Sequence, residues 1–274
     1  MKLVISKSMP LLEALSIMCP DSSKTTLRQF VRQGRIHIDN EAATRSDVEL
    51  QPGQVLLFEE HKVKYDFSGL KLVYEDPYLV VIDKPSGLLS VATNFETQET
   101  AHKKLKKRYH PKKVFVVHRL DQDTSGLLLF TTHHDSYIAL KKALKERLIK
   151  RTYHAIVEGN LEGKGTWSSY LFEDATYFVH ASDDPTKGEL ATTHYEAISY
   201  KNGYTLVRFT LESGKKNQIR VHAARAGFPI AGDAKYGAKT NRFGRLALHA
   251  TNLELTHPHT QKTLSFCSNF PIAL

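Results

Sequence analysis

An aspartate held between two apolar strands is the most chemically suggestive arrangement in this chain. In Val116-Val117-His118-Arg119-Leu120-Asp121-Gln122-Asp123-Thr124-Ser125-Gly126-Leu127-Leu128-Leu129-Phe130, apolar runs flank a short polar loop. Strands that fix a loop at both ends hold its side chains in one place, which is what a catalytic group needs. Asp123, Thr124 and Ser125 read as turn residues that satisfy backbone groups. Other chemistries fit less well. An Asp121–Asp123 pair suits a divalent cation, but no further carboxylate cluster nearby completes an oxygen cage. A nucleophile at Ser125 lacks the Gly-x-Ser-x-Gly elbow. Two more segments are candidates to converge on the loop. Lys150-Arg151-Thr152-Tyr153-His154-Ala155-Ile156-Val157 sets a tyrosine early in a strand, just after a basic helix end. Ser213-Gly214-Lys215-Lys216-Asn217-Gln218-Ile219-Arg220-Val221-His222 runs from a glycine turn into a helix start, where backbone N–H groups and basic side chains suit a phosphate. Taken singly, Tyr153 reads as a core or interface tyrosine and Arg220 as a surface charge. His133-His134 and His257-Pro258-His259 read as loop histidines, since no third ligand has a spacing that suits a metal.

Taken together, these segments resemble the RluA type of RNA pseudouridine synthases, over roughly Lys71 to Leu274. The matching pieces come in order. They are Val81-Ile82-Asp83-Lys84-Pro85-Ser86-Gly87-Leu88; His118-Arg119-Leu120-Asp121 with Thr124-Ser125-Gly126-Leu127-Leu128; and Arg151-Thr152-Tyr153-His154-Ala155. Then follow Gln218-Ile219-Arg220-Val221-His222, Gly227-Phe228-Pro229-Ile230-Ala231-Gly232-Asp233 with Tyr236-Gly237, and Leu248-His249-Ala250 with His257-Pro258. His-Arg-Leu-Asp alone is only suggestive, whereas six pieces in sequence are specific.

The resemblance implies conversion of uridine in RNA to its carbon-linked isomer. That reaction breaks the bond from base nitrogen to ribose C1′, turns the base and joins its C5 to the sugar. It is redox-neutral and adds no group, so the expectation is no cofactor and no metal. One ionised carboxylate suffices, as nucleophile towards the sugar or as a base that opens an elimination route. By the same match Asp121 corresponds to the catalytic aspartate and Tyr153 to the tyrosine lying against the uracil. Arg220 corresponds to the arginine that pairs with the carboxylate, lowering its pKa and keeping it ionised. Arg119 resembles the residue that helps hold the RNA open, and Leu120 and Ile219 join it as expected substrate contacts. A uridine in folded RNA must leave its stack to meet a buried aspartate, at a cost of a few kcal/mol. The chain departs from the family pattern at Ser90-Val91-Ala92-Thr93, where a histidine is usual. It departs again at Lys215 and Asn217, where arginine and histidine are usual. These departures bear on accessory RNA contacts and substrate choice.

The elements that position these groups are mixed. Strands are expected at Tyr78–Asp83, Val114–Val117, Leu127–Phe130, Tyr153–Glu158, Thr205–Leu211, Arg245–Leu255 and Thr263–Phe266. Helices are expected at Glu99–Tyr109, Ser136–Lys150 and Gln218–Ala226. In the second of these helices Tyr137, Leu140, Leu144 and Leu148 form the apolar face and Asp135 the cap. Most of the strands follow one another without crossover helices. The fold class is therefore α+β, a mixed and mostly antiparallel sheet with flanking helices, plus a small α+β domain. Lys103, Lys104, Lys106, Lys107, Arg108, Lys112 and Lys113 form a basic cluster that fits a solvated face as well as an RNA contact.

The small domain is residues 1–60. Leu11–Leu15 suggests a short helix closed by Pro20, and Asp21-Ser22-Ser23 offers caps for a second, Lys24 to Gln33. Leu27, Phe30 and Val31 make its apolar stripe; Lys24, Arg28, Arg32 and Arg35 fall on another; Gly34 suits the C-terminal cap. Strands are expected at Arg35–Ile38 and Gln54–Phe58. This order resembles the small RNA-binding module named after a ribosomal small-subunit protein, whose basic helix meets RNA phosphates. Residues 61–70 read as a linker and 71–274 as the catalytic domain.

Composition agrees with a nucleic-acid partner. Among 274 residues, 38 Lys plus Arg against 29 Asp plus Glu give a net charge of +9, and 41% hydrophobic residues can fill a sizeable core. Two cysteines, Cys19 and Cys267, support neither a disulfide framework nor a cysteine zinc site. No apolar run approaches the roughly 20 residues of a membrane helix. The expectation is a cytoplasmic RNA pseudouridine synthase acting on ribosomal or transfer RNA, ribosomal RNA being favoured, with no obligate protein partner. The competing readings are a non-catalytic RNA-binding or ribosome-assembly factor, and a metal-dependent RNA hydrolase using Asp121 and Asp123.

Overall fold

A computed structural model describes residues 2–20, 22, 24–32, 36–58, 70–92 and 99–274, excluding the side chains of residues 25, 26, 29 and 32. The chain divides into two compact units, Met1–Asp66 and Phe67–Leu274.

In the first unit two helices and short strands surround a small core. The helices are α1 (Leu11–Met18) and α2 (Lys24–Arg32). The strands are β1 (Lys2–Val4), β2 (Met9–Pro10), β3 (Ile36–Ile38), β4 (Glu41–Ala42), β5 (Glu49–Leu50) and β6 (Val55–Phe58). Leu11, Ala14 and Leu15 recur at helical spacing on α1 and bury together with Leu27 and Val31 of α2. Lys24 and Arg28 lie exposed on α2. The Arg32 side chain and Arg35, like the proposed caps Asp21, Ser23 and Gly34, lie outside the described residues. The sheet order is β1-β6-β3-β4, with β2 and β5 as a separate pair. Four of these strands, β1, β2, β4 and β5, were not expected. At two or three residues each they are too short to leave a periodic pattern.

Among the described residues the second unit carries an eleven-stranded sheet. Its strands are β7 (Lys71–Glu75), β8 (Val80–Lys84), β9 (Phe115–Val116), β10 (Ser125–Thr131), β11 (Lys150–Glu158) and β12 (Lys164–Glu173). They continue with β13 (Val179–Ser182), β14 (Glu189–Lys201), β15 (Tyr204–Leu211), β16 (Leu248–Thr256) and β17 (Thr263–Cys267). The order is β13-β12-β14-β15-β11-β16-β10-β8-β7, with β17 on β16 and β9 on β10. Only the β10–β16 pair within it is parallel. The helices are α3 (Ala101–Tyr109), α4 (His134–Lys145) and α5 (Gln218–Arg225).

Strand β10 is buried along its whole length, and its alternating side chains feed two cores. Leu128 and Phe130 belong to the core that includes Leu105 of α3 and Ala223 of α5, while Leu127 and Leu129 belong to the one that includes Leu140 of α4. At its start Gly126 has φ +111°, and a Cβ there would lie 2.3 Å from the Ala250 carbonyl oxygen. Only glycine lets β10 and β16 approach this closely.

Several expectations need correction. Helix α4 begins at His134 and ends at Lys145, because Arg147 turns left-handed (φ 61°) and Lys150 already pairs in β11 opposite Glu254. Leu148 is therefore not on its apolar face but exposed. Asp135 sits inside the first turn, and the N-cap position is His133. The expected linker lies outside the described residues except Leu70, which is buried in the core of the second unit. Strands β7, β12, β13 and β14 went unpredicted, since each carries polar or half-buried side chains rather than an apolar run. The basic cluster of α3 is largely engaged. Lys103, Lys104 and Lys107 surround Glu99, and Arg108 bonds Glu75 at 2.5 Å.

Candidate active site

The loop between β9 and β10 is clamped on both sides of Asp121. Ser90 Oγ donates to the Leu120 carbonyl (2.7 Å) and accepts from the Leu120 N–H (3.0 Å). One residue past the aspartate, the Gln122 carbonyl accepts from the Gly87 N–H (3.0 Å) and from Lys84 Nζ (2.8 Å). Ser86 Oγ then donates to the Asp123 carbonyl at 2.7 Å. Lys84 is wholly buried at the end of β8, and its ammonium also donates to the carbonyls of Pro85 and Leu88. Burial pushes its pKa down to about 7, against the opposing pull of Asp123 and Asp121. Lys84 thus ties the aspartate loop to the Lys-Pro-Ser-Gly turn. Its place in that quoted piece was the only signal of this role.

Arg220 reaches the aspartate from the first turn of α5. The turn before it is locked by Gln218, whose Oε1 accepts from Ser213 Oγ and the Lys215 N–H and whose Nε2 donates to Thr192 and Thr193. Asn217 takes a left-handed backbone (φ 54°), which asparagine tolerates better than most residues. The guanidinium of Arg220 makes a two-pronged bond to Asp233, Nε to Oδ2 and Nη2 to Oδ1, each 2.7 Å. Its remaining Nη1 donates to Asn217 Oδ1 (3.2 Å) and stands 3.9 Å from Asp121 Oδ2. The expected Arg220–Asp121 pair is therefore a loose ion pair, and Asp233 is the anchor. Sequence reasoning quoted Asp233 within a matching piece without giving it this role.

The pKa expectation for Asp121 also needs correction. About a quarter of its side chain meets solvent. Protein nonetheless crowds it from the loop, from α5 and from Lys84, and desolvation pushes its pKa above the ordinary carboxylate range. Arg220, the Asn217 backbone N–H and Lys84 pull the other way, and burial outweighs them.

Asp121, Arg119, Leu120 and Arg220 all line one cleft of roughly 970 Å³, large enough for a nucleotide. Among its described lining residues are nine Lys or Arg and three Asp or Glu. Ser213–Asn217 form one wall, so the glycine turn does face this space. Arg119 is exposed at the cleft and Leu120 is buried beside the aspartate. Tyr153 and Ile219 do not line it. Both are buried in the core, and Tyr153 is close enough to Asp121 for that charge to raise its phenol pKa further above its burial-raised value. On β11, Tyr153 faces the same side as Arg151 and Ala155, opposite Phe209 of β15 and Ala250 of β16.

The histidines singled out in sequence have ordinary partners here. His257 is buried and bonds Asp76 at 2.8 Å, and among the described residues no three His, Cys, Asp or Glu side chains cluster as a metal site. Behind the loop, His249 joins Ser125 (2.7 Å) to Ser268 (2.9 Å), which donates to Asp83. Burial holds that imidazole neutral, with its pKa near 4.

A model of the RNA pseudouridylate synthase family matches residues 78–225, a span holding the loop, Tyr153 and Arg220. The chain belongs to the RNA pseudouridylate synthase family. It is an RNA-modifying isomerase, as the resemblance implied. Among its relatives, the uncharacterized RNA pseudouridine synthase YhcT of Bacillus subtilis is 31% identical over 91% of this chain and 86% of its own length. Ribosomal large subunit pseudouridine synthase D of Nitrosomonas europaea is 32% identical over 94% of this chain and 80% of its own. The solved structure of human RNA pseudouridylate synthase domain containing 4 superposes with a TM-score of 0.61 at 23% identity. It covers 73% of this chain and 88% of that one, and confirms the α+β fold. Among the described residues no helix is long and apolar enough to cross a membrane.

Proposed function

We propose that Asp121 is the catalytic carboxylate of a cytoplasmic enzyme that isomerises uridines of structured ribosomal RNA. The observation that carries the reading is a tightly clamped carboxylate lining a basic cleft, with an arginine fixed beside it by a second aspartate. The reaction balances with uridine alone. The bond from N1 to C1′ breaks, C5 bonds to C1′, C5 loses a proton and N1 gains one. Asp121 serves this chemistry as nucleophile on C1′ or as base in an elimination route. Tyr153, at the aspartate's side of the core, is assigned to the uracil face and to the C5 proton. Arg220 offers Nη1 to the carboxylate while Asp233 holds its other prongs. Arg119, exposed at the cleft, is assigned to holding the RNA open, with Leu120 and Ile219 shaping the apolar surround.

The basic cleft supports an RNA strand as substrate, since phosphate neutralisation supplies most of the affinity for nucleic acid. Exposed Lys24 and Arg28 on α2 support the first unit as a further RNA contact, to which Arg32 and Arg35 are also assigned. Ribosomal RNA is favoured because the relative in Nitrosomonas europaea is named for the large ribosomal subunit.

The test is incubation of the full chain with ribosomal and transfer RNA tritiated at uridine C5. Tritium release from ribosomal RNA by the wild type, and none by Asp121→Asn, is the expected result. Release from transfer RNA alone overturns the substrate assignment. Undiminished release by Asp121→Asn overturns the catalytic one.

A further inference from the structure

Arg151 stands in the cleft wall without a hydrogen-bond or ion-pair partner among the described residues. Strand alternation places it on the buried face of β11, two residues before Tyr153, and about 9% of it is exposed. Its Nε is buried with no hydrogen-bond partner, and its guanidinium makes no hydrogen bond or ion pair among the described residues. Arg220, in the same cleft, bonds Asp233 and Asn217. Buried charges in folded proteins are normally paired, because an uncompensated one sacrifices hydration for nothing.

The surroundings keep the guanidinium in place rather than neutralise it. Gly214, which lines the same cleft, has no side chain, and a Cβ there would lie 2.6 Å from Arg151 Nη1. A buried histidine lies near enough to feel its charge. His118 Nε2 accepts the Leu129 N–H at 3.2 Å, which leaves the proton on Nδ1, beside the Arg119 backbone. Burial, reinforced by the charge of Arg151, pushes the pKa of that histidine down to about 3. Exposed Lys141 and Lys145 line the same cleft from α4. This wall therefore offers positive charge, and among the described residues its arginine lacks an acceptor.

We propose that Arg151 binds a phosphodiester oxygen of the RNA strand that carries the target uridine. A guanidinium fork matches phosphate geometry, and in a water-poor wall its bonds are strong. Two strand residues span about 7 Å, so the phosphate belongs to the target nucleotide or its immediate neighbour. The inference rests on the reading of the cleft as an RNA site.

Arg151→Met removes the charge and keeps most of the volume. The expected result is a KM for tritium release raised about ten-fold, with kcat changed far less. The slope of log affinity against log salt falls by about 0.7 to 0.9, one phosphate contact. The melting temperature holds or rises, because an unpaired buried charge is gone. A purely structural arginine gives the reverse: a lower melting temperature with KM and salt slope unchanged, which overturns the proposal. Gly214→Ala displaces the guanidinium without removing it and is expected to raise KM in the same direction. Should the wild type release no tritium from any RNA, the RNA reading fails on its own. The Nε–Hε nuclear magnetic resonance signal of Arg151, identified by its loss in Arg151→Met, then decides the anion site. It moves with uridine 5′-monophosphate but not with uridine if the site takes phosphate. If neither moves it, the proposal falls.

Discussion

Replacing either aspartate beside Arg220 with asparagine is the same chemical change, yet the two should affect stability in opposite ways. Asp233 is fully buried and holds two prongs of the guanidinium at 2.7 Å. Asp233→Asn keeps the shape but leaves Arg220 buried with a neutral partner. Breaking a buried pair from one side costs about 3 kcal/mol at the low end, the end that applies because asparagine still accepts one bond. For a unit of this size, Phe67–Leu274, each kcal/mol moves the melting temperature by about 2–4 °C, so a fall of roughly 6–12 °C is expected. Asp121 differs. Burial raises its pKa in the folded state, so its ionised form is favoured less when folded than when unfolded. That penalty is present at pH values above the ordinary carboxylate range and vanishes below it. Asp121→Asn removes the penalty, so its melting temperature at pH 7 should equal or exceed that of the wild type. The margin should shrink on acidification. Thermal unfolding of both variants between pH 4 and 8 checks this. A loss at Asp121→Asn as large as at Asp233→Asn would refute the assignment of Asp233 as the anchor.

Further outcomes follow from the same geometry. The acid limb of kcat/KM for tritium release should lie above the pH range of an ordinary carboxylate, and Asp233→Asn, which removes a negative neighbour of Asp121, should move it lower. Lys84→Met strips a donor from the carbonyls of Pro85, Leu88 and Gln122, so a loss of about 3 kcal/mol and a fall in kcat are expected from denaturant titration and tritium release. Because Lys84 loses its proton near pH 7 when folded but near 10.5 when unfolded, wild-type stability should gain between those values, and Lys84→Met should lack that gain. Gly126→Ala should yield little soluble protein, since its Cβ would meet Ala250 backbone atoms at under 3 Å.

The sequence was most legible where chemistry is local. Apolar runs either side of residues 118–124 announced strands flanking a rigid loop, and β10, buried on both faces, needed such a run. The motif match then supplied the family, and with it the carboxylate and the arginine. Strands β12 to β14 were illegible because most of their side chains are half-buried or exposed and form no apolar run. The end of α4 was misplaced because the strand pairing of Lys150, not helix propensity, decided it.

What the chain determined by itself is which groups exist and which are held locally: Asp121 on a short loop, Tyr153 two residues beyond Arg151, Arg220 in the first turn of a helix. Which group pairs with which was decided only on folding. Asp233 is 13 residues from Arg220 and Ser90 is 30 from Leu120, yet each is within hydrogen-bond reach of its partner. Hydrogen bonds and ion pairs act over about 3 to 4 Å, and desolvation depends on all that packs around a charge. Neither the anchoring of Arg220 away from Asp121, nor the raised pKa of that aspartate, nor the orphaned guanidinium of Arg151 has a one-dimensional signature.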